Sequence, residues 1–153
     1  MLKRTILALF LSCTAALAQV GNVGPPGVPG SGNAGYPTGA TSVENGATGT
    51  TAGATATLAA VAGQFTYLCG FSYSPGSATT AITTTATTTG LASNLSLSVG
   101  APATLVGVTG ATLVHPITPC ARSSAVNTAI TVVGSALGTG GVGQAVNAWG
   151  YQQ

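Results

Sequence analysis

The sequence predicts an all-β fold, an antiparallel β-sandwich or jelly roll of about eight short strands. A signal peptide and a Pro/Gly-rich segment precede this domain. Short runs after residue 50 alternate between apolar and polar residues or are rich in β-branched Thr, as in half-buried strands. Gly and Pro separate these runs at nearly regular spacing, and residues that favour helices rarely occur together beyond residue 18.

The first 18 residues have the layout of a secretory signal peptide. Lys3 and Arg4 precede an apolar run over 5–11, and Ala16 and Ala18 provide a cleavage site. Removing these 18 residues from 153 leaves 135, enough for one domain with a core. No later apolar run approaches the ~20 residues that a bilayer-spanning helix needs. We therefore expect a secreted, cell-surface or periplasmic protein that has no membrane partner after cleavage.

Residues 19–50 are predicted to be a flexible or collagen-like segment rich in Pro, Gly and Thr. Glycine falls at every third position from Gly21 to Gly30, which is the triplet of a collagen triple helix, and the pattern ends at Asn33. One interpretation is an extended Pro/Gly-rich linker. The other is a trimerising stem over 21–32, which requires a trimeric domain after it. The β-sandwich domain is assigned to 51–153.

The clearest predicted strand is 65–73. Its larger side chains alternate with smaller or polar ones and are assigned to one face of a sheet: Phe65, Tyr67, Cys69, Phe71 and Tyr73. Pro116 and Pro119 are predicted to break the chain. The other predicted strands and strand pieces are 56–61, 79–89, 94–99, 104–108, 111–114, 127–133 and 145–151.

Two cysteines, Cys69 and Cys120, remain after signal cleavage. An even pair in an exported protein predicts one disulfide, because extracellular compartments are oxidising. The alternative is a pair of buried free thiols.

The chain after residue 18 contains almost no residues for acid–base chemistry. It keeps one acid, Glu44, one arginine, Arg122, and one histidine, His115, with no Asp or Lys. Paired carboxylates are impossible within one subunit, and a Ser-His-acid triad would need Glu44 and His115 together. These counts predict a protein that is not an enzyme, and has no metal site, cofactor or nucleic-acid partner.

Aromatic residues near the C-terminus offer a different kind of site. Trp149 and Tyr151 are candidate stacking residues for a glycan, although aromatic residues at a period of two are also typical of a core. The Thr run over 83–89 is interpreted as an ordinary, half-solvated sheet surface.

Two segments carry a resemblance to known proteins. Residues 124–132 and 146–152, separated by a Gly-rich gap, resemble the ending of small β proteins from proteobacterial and phage genomes. Residues 58–63 and 69–71 are similar to the first strands of those proteins. The resemblance implies a jelly-roll surface or virion module without catalytic residues. The signal peptide and the Pro/Gly segment depart from the phage versions and favour an exported cellular protein.

Three functions follow as hypotheses. The first is a structural or surface protein that self-assembles as a compact homo-oligomer, with a trimer as its specific form. The second is a fibre or pilus-type subunit in which a donated strand completes a neighbouring sheet. The third is a glycan-binding module that uses Trp149.

Overall fold

The computed structural model describes residues 36–103 and 110–153. The predicted signal peptide, the Gly-X-Y triplets over 21–32 and the predicted strand at 104–108 lie outside these ranges. The described residues form eight strands and no helix, and none of them forms a helix able to span a membrane. The strands are β1 Thr41–Gly49, β2 Ala54–Leu58, β3 Thr66–Ser74, β4 Ile82–Thr89, β5 Ser96–Ala101, β6 Leu113–Arg122, β7 Ile130–Gly134 and β8 Gln144–Gln152.

The strands form two antiparallel four-stranded sheets. The first sheet has the order β1-β8-β3-β6, and the second has the order β2-β7-β4-β5. The pairings β1 with β8, β2 with β7, β3 with β6 and β4 with β5 are those of one long hairpin rolled up on itself. This nested order is a jelly roll, so the predicted fold class is confirmed.

The main core lies between the two sheets. Side chains from both sheets fill it, including Leu58, Phe71, Tyr73, Ile130 and Val146. One buried polar side chain also crosses the core. The Gln144 amide oxygen accepts from the Ala54 N–H and the amide nitrogen donates to the Ser135 carbonyl, each at 3.0 Å. Gln144 therefore joins β8 of the first sheet to the backbone of the second sheet.

Strand β3 changes the face that its side chains occupy partway along its length. Its pairing with both neighbours shifts between Leu68 and Gly70, as in a β-bulge. Leu68 and Phe71 consequently both point into the main core, while Cys69 belongs to a separate cluster on the outer side. The prediction that residues 65 to 73 alternate on a single face was wrong, because the extra residue at the bulge inverts the alternation.

Two edge strands differ from the predicted boundaries. Strand β1, Thr41–Gly49, belongs to the sandwich although it lies in the segment expected to be flexible, before the boundary at 51. Strand β6 runs through Pro116 and Pro119, which were expected to break the chain. Because β6 pairs only with β3, its prolines remove no bond from a central ladder.

Candidate functional site: the outer face of the first sheet

The outer face of the first sheet carries a second buried cluster, named here the outer aromatic cluster. The Tyr67 and Tyr151 rings stack with their centroids 4.5 Å apart, and the Tyr36 ring tilts against Tyr151 at 5.0 Å. The members are Tyr36, Ala40, Tyr67, Cys69, Cys120, Trp149 and Tyr151. Residues just before β1 thus cover a sheet face that would otherwise be open to solvent.

Cys69 and Cys120 form a disulfide between β3 and the edge strand β6. The predicted pairing is confirmed. A disulfide fits a non-reducing compartment, such as the cell exterior or the periplasm.

The two predicted stacking residues, Trp149 and Tyr151, come together in the outer aromatic cluster but are buried. Trp149 is 3% exposed and Tyr151 is 9% exposed. The Trp149 ring lies on Gly70, where an added Cβ would stand only 2.5 Å from the indole Cζ2. Neither ring presents an open face to a ligand, so stacking on Trp149 is not available in this conformation.

A cleft of about 410 Å³ lies beside Trp149 on the same face. Strand register places Glu44 beside Trp149 and Gly46 beside Asn147, and Ser72 lies on the other side of Asn147. The lining residues are Glu44, Asn45, Gly46, Ser72, Asn147, Ala148 and Trp149. The cleft is therefore built by three neighbouring strands, β1, β8 and β3.

The floor of the cleft is polar and depends on a glycine. The Asn147 amide nitrogen donates to the Ser72 hydroxyl at 3.3 Å. A Cβ at Gly46 would stand 2.4 Å from the Asn147 amide oxygen, so a side chain there would displace the amide. Glu44 and Asn147 are both exposed and accessible from solvent.

The charges near the cleft are few. Glu44 is the only acidic residue of the chain and stands at its edge. Arg122, the only cation among the described residues, lies over the Phe65 ring, with 4.4 Å between the guanidinium carbon and the ring centroid. The cleft therefore has one carboxylate and no positive charge in its lining.

Burial raises the pKa of Tyr36, and the nearby Glu44 carboxylate and Tyr151 raise it further. Burial also raises the pKa of Tyr151, with a smaller contribution from Tyr67. The Tyr36 hydroxyl and the Trp149 indole N–H are buried and have no hydrogen-bond partner in the described parts of the chain. Both tyrosines are held in their neutral form by their surroundings.

The structure separates the residues that a catalytic triad would need. Glu44 lies on β1 and His115 on β6, which are opposite edges of the first sheet. Glu44 shares the outer face with Trp149, whereas His115 pairs with the core residue Phe71. Across residues 36–103 and 110–153, no three His, Cys, Asp or Glu side chains come together as a group that could hold a metal ion.

Sequence reasoning singled out one residue of the cleft, Trp149, but not the polar residues beside it. Glu44 was considered only as the acid of a catalytic triad and lies in the segment predicted to be flexible, and Asn147 and Ser72 carry no motif. The only available signal was that Glu44 is the single acid in a chain nearly free of charge.

The outer face of the second sheet is chemically different. Its outward side chains are those of Thr and Ser residues, together with Val133. Its four strands contain no charged residue. The Thr89 and Thr131 hydroxyls form a hydrogen bond between strands β4 and β7, with 2.6 Å between the two oxygens. The register and burial place the following hydroxyl residues on this face: Thr55, Thr57, Thr83, Thr85, Thr87, Thr89, Ser96, Ser98 and Thr131.

The chain was compared with protein-family models, with curated proteins and with solved structures, and none of the three gave a significant match. Its function must therefore be inferred from its geometry.

Proposed function

We propose that this chain is an exported, non-enzymatic structural protein that self-assembles as a compact homo-oligomer. The observation that supports this most directly is the uncharged outer face of the second sheet. Both charges of the described chain, Glu44 and Arg122, lie on the first sheet. Neighbouring copies can therefore pack against this face without like-charge repulsion and without the cost of desolvating ions.

The contact area sets how strong this assembly can be. Four strands spaced ~4.8 Å apart and about five residues long give a face of roughly 300 Å². Stable interfaces bury ~800 Å² on each partner. The face alone is too small, so we expect the contact to extend beyond it, past the edge strand β5, which carries no charge or proline. We also expect assembly to depend on concentration.

A trimer is the specific form proposed, because the Gly-X-Y triplets over 21–32 suit three parallel chains. A fibre built by strand exchange has less support. Strand β1 already completes the first sheet of its own chain through nine residue pairs with β8. The described strands of both sheets pair directly with their neighbours, so neither sheet has a gap between strands that a donated strand could fill.

Light scattering after size-exclusion chromatography tests the proposal on the mature, oxidised protein. We expect a discrete small multiple of the mature mass at high micromolar concentration. Thr87→Lys places a charge in the second-sheet face between Ser96 and Val133 and should give monomer. Val114→Lys adds the same charge on the exposed edge of the first sheet and should leave assembly unchanged.

A clean wild-type monomer at high micromolar concentration would exclude the proposal, and so would equal effects of the two lysines. Deletion of 19–35 separates the contribution of the stem from that of the sheet. The deletion must stop there, because Tyr36 and β1 belong to the folded domain.

A further inference from the structure

We propose that the cleft beside Trp149 binds a neutral saccharide, whose hydroxyl groups donate to Glu44 and exchange hydrogen bonds with Asn147 and Ser72. This site lies on the first sheet and is independent of the self-assembly proposed for the second sheet. It also differs from stacking on Trp149, since that ring is covered.

The size and position of the cleft suit a small ligand. Its volume of about 410 Å³ falls within the ~300–1,000 Å³ typical of small-molecule sites. It sits on paired strands of the sheet, and the Asn147–Ser72 bond holds its floor. Asn147 and Ser72 are therefore positioned before a ligand arrives, which reduces the entropy that binding costs.

The lining selects a ligand with many hydroxyl groups. Glu44 supplies acceptors, Asn147 supplies both a donor and an acceptor, and Ser72 supplies a hydroxyl. Each sugar hydroxyl also donates and accepts, so a saccharide can satisfy all three side chains. An apolar ligand would instead bury these groups without partners, which is costly.

The charge of the cleft disfavours an anionic ligand. A phosphate, a sulfate or a uronic acid would meet the Glu44 carboxylate with no cation in the lining to offset it. Arg122 is held over Phe65, and register places it beside Tyr67 instead of Asn147. An ammonium ligand could pair with the Glu44 carboxylate, but it offers no acceptor to the donors of Asn147 and Ser72, and the Trp149 ring, 3% exposed, gives it no open indole face.

Trp149 acts as a positioning residue. Its ring fills the space above Gly70 and forms the end of the cleft next to Glu44. The indole N–H is buried from solvent and cannot reach a ligand without movement of the cluster. Its role is to hold β1 and β3 in the arrangement that exposes Glu44 and Ser72.

An oligosaccharide array that presents neutral, sialylated and sulfated glycans tests this proposal with the mature, oxidised protein. We expect binding to neutral glycans only. Glu44→Gln and Asn147→Ala should each weaken binding about tenfold, because the first replaces a charged acceptor by a weaker neutral one and the second removes the amide. Arg122→Gln is the matched control, since it removes the other charge of this face outside the cleft and should leave binding unchanged.

Two further measurements keep the result specific. Thermal unfolding of each variant should match wild type, because Glu44 and Asn147 are exposed. Thr87→Lys, on the opposite face, should retain saccharide binding whether or not it is monomeric. The proposal fails if wild type binds no array component, if it binds only sialylated or sulfated glycans, or if Glu44→Gln and Asn147→Ala bind as wild type does.

Discussion

The two outer faces of this sandwich are each built from four antiparallel strands but differ in almost every other property. The first sheet carries a disulfide, a buried aromatic cluster and both charges of the described chain. The second sheet carries Thr and Ser hydroxyls and no charge. The first face is therefore a second small core with a polar cleft at its side, and the second face is an uncharged, half-solvated surface.

Removal of the indole tests whether the outer aromatic cluster is a core. Trp149→Ala should lower the free energy of unfolding by about 4 kcal/mol, because large aromatic truncations at buried sites leave a cavity. Thr87→Ala, at a central position of the second face, should change it by less than about 0.5 kcal/mol. Denaturant titration of both variants measures the difference, and similar losses in both would show that the faces are energetically equivalent.

The disulfide is the next largest expected effect. Cys69→Ala combined with Cys120→Ala should cost between about 2 and 4 kcal/mol, since the bridge closes a loop across a sequence separation of 51 residues in the unfolded chain. Chemical denaturation of the double variant measures the loss. Ser96→Ala with Ser98→Ala on the second sheet is a control of the same number of changes and should be nearly neutral. A double cysteine variant as stable as wild type would contradict this expectation.

Alkaline pH should weaken the first face by a smaller amount. The pKa values of Tyr36, Tyr151 and the core residue Tyr73 are raised in the folded state, chiefly by burial. Because the folded protein holds these protons more tightly, their stabilising contribution is complete below about pH 10, the pKa of an unperturbed tyrosine. That contribution is lost as pH rises through the raised folded values, by at most about 1.4 kcal/mol per pH unit for each tyrosine.

Unfolding free energies measured on both sides of pH 10 check the sign. The double variant Tyr36→Phe, Tyr151→Phe should reduce the slope of the unfolding free energy against pH. Ionisation of Tyr73 accounts for the slope that remains. Thr84 and Ser135 lie near the Tyr73 hydroxyl and oppose the rise in its pKa, but neither is in hydrogen-bond geometry with it. A slope that the double variant leaves unchanged would place the alkaline effect outside the outer aromatic cluster.

Strands with a strong local pattern were predictable from sequence. The alternation in 94–99 and 145–151 locates β5 and β8 to within about two residues, the usual uncertainty of strand ends. Strand β1 was missed because its sequence, TSVENGATG, has no alternating apolar pattern and is mostly exposed. Its backbone pairing with β8 holds it in place, and backbone pairing leaves little trace in side-chain sequence.

The cleft could not be predicted from the sequence either, because it also depends on which strands pair. Glu44, Ser72 and Asn147 are far apart in the chain and meet only because β8 lies between β1 and β3. The bulge in β3 was equally hidden, since a one-residue shift of register depends on both neighbouring strands.

The sequence by itself determined the all-β class, the approximate number of strands, the pairing of Cys69 with Cys120 and the scarcity of charge. These follow from local periodicity, composition and the presence of only two cysteines beyond the predicted signal peptide. Only the tertiary structure decided which face each residue occupies, that Trp149 is covered and that Glu44 stands at a cleft. Those features depend on which strands become neighbours, and in a jelly roll the neighbours are mostly distant in sequence.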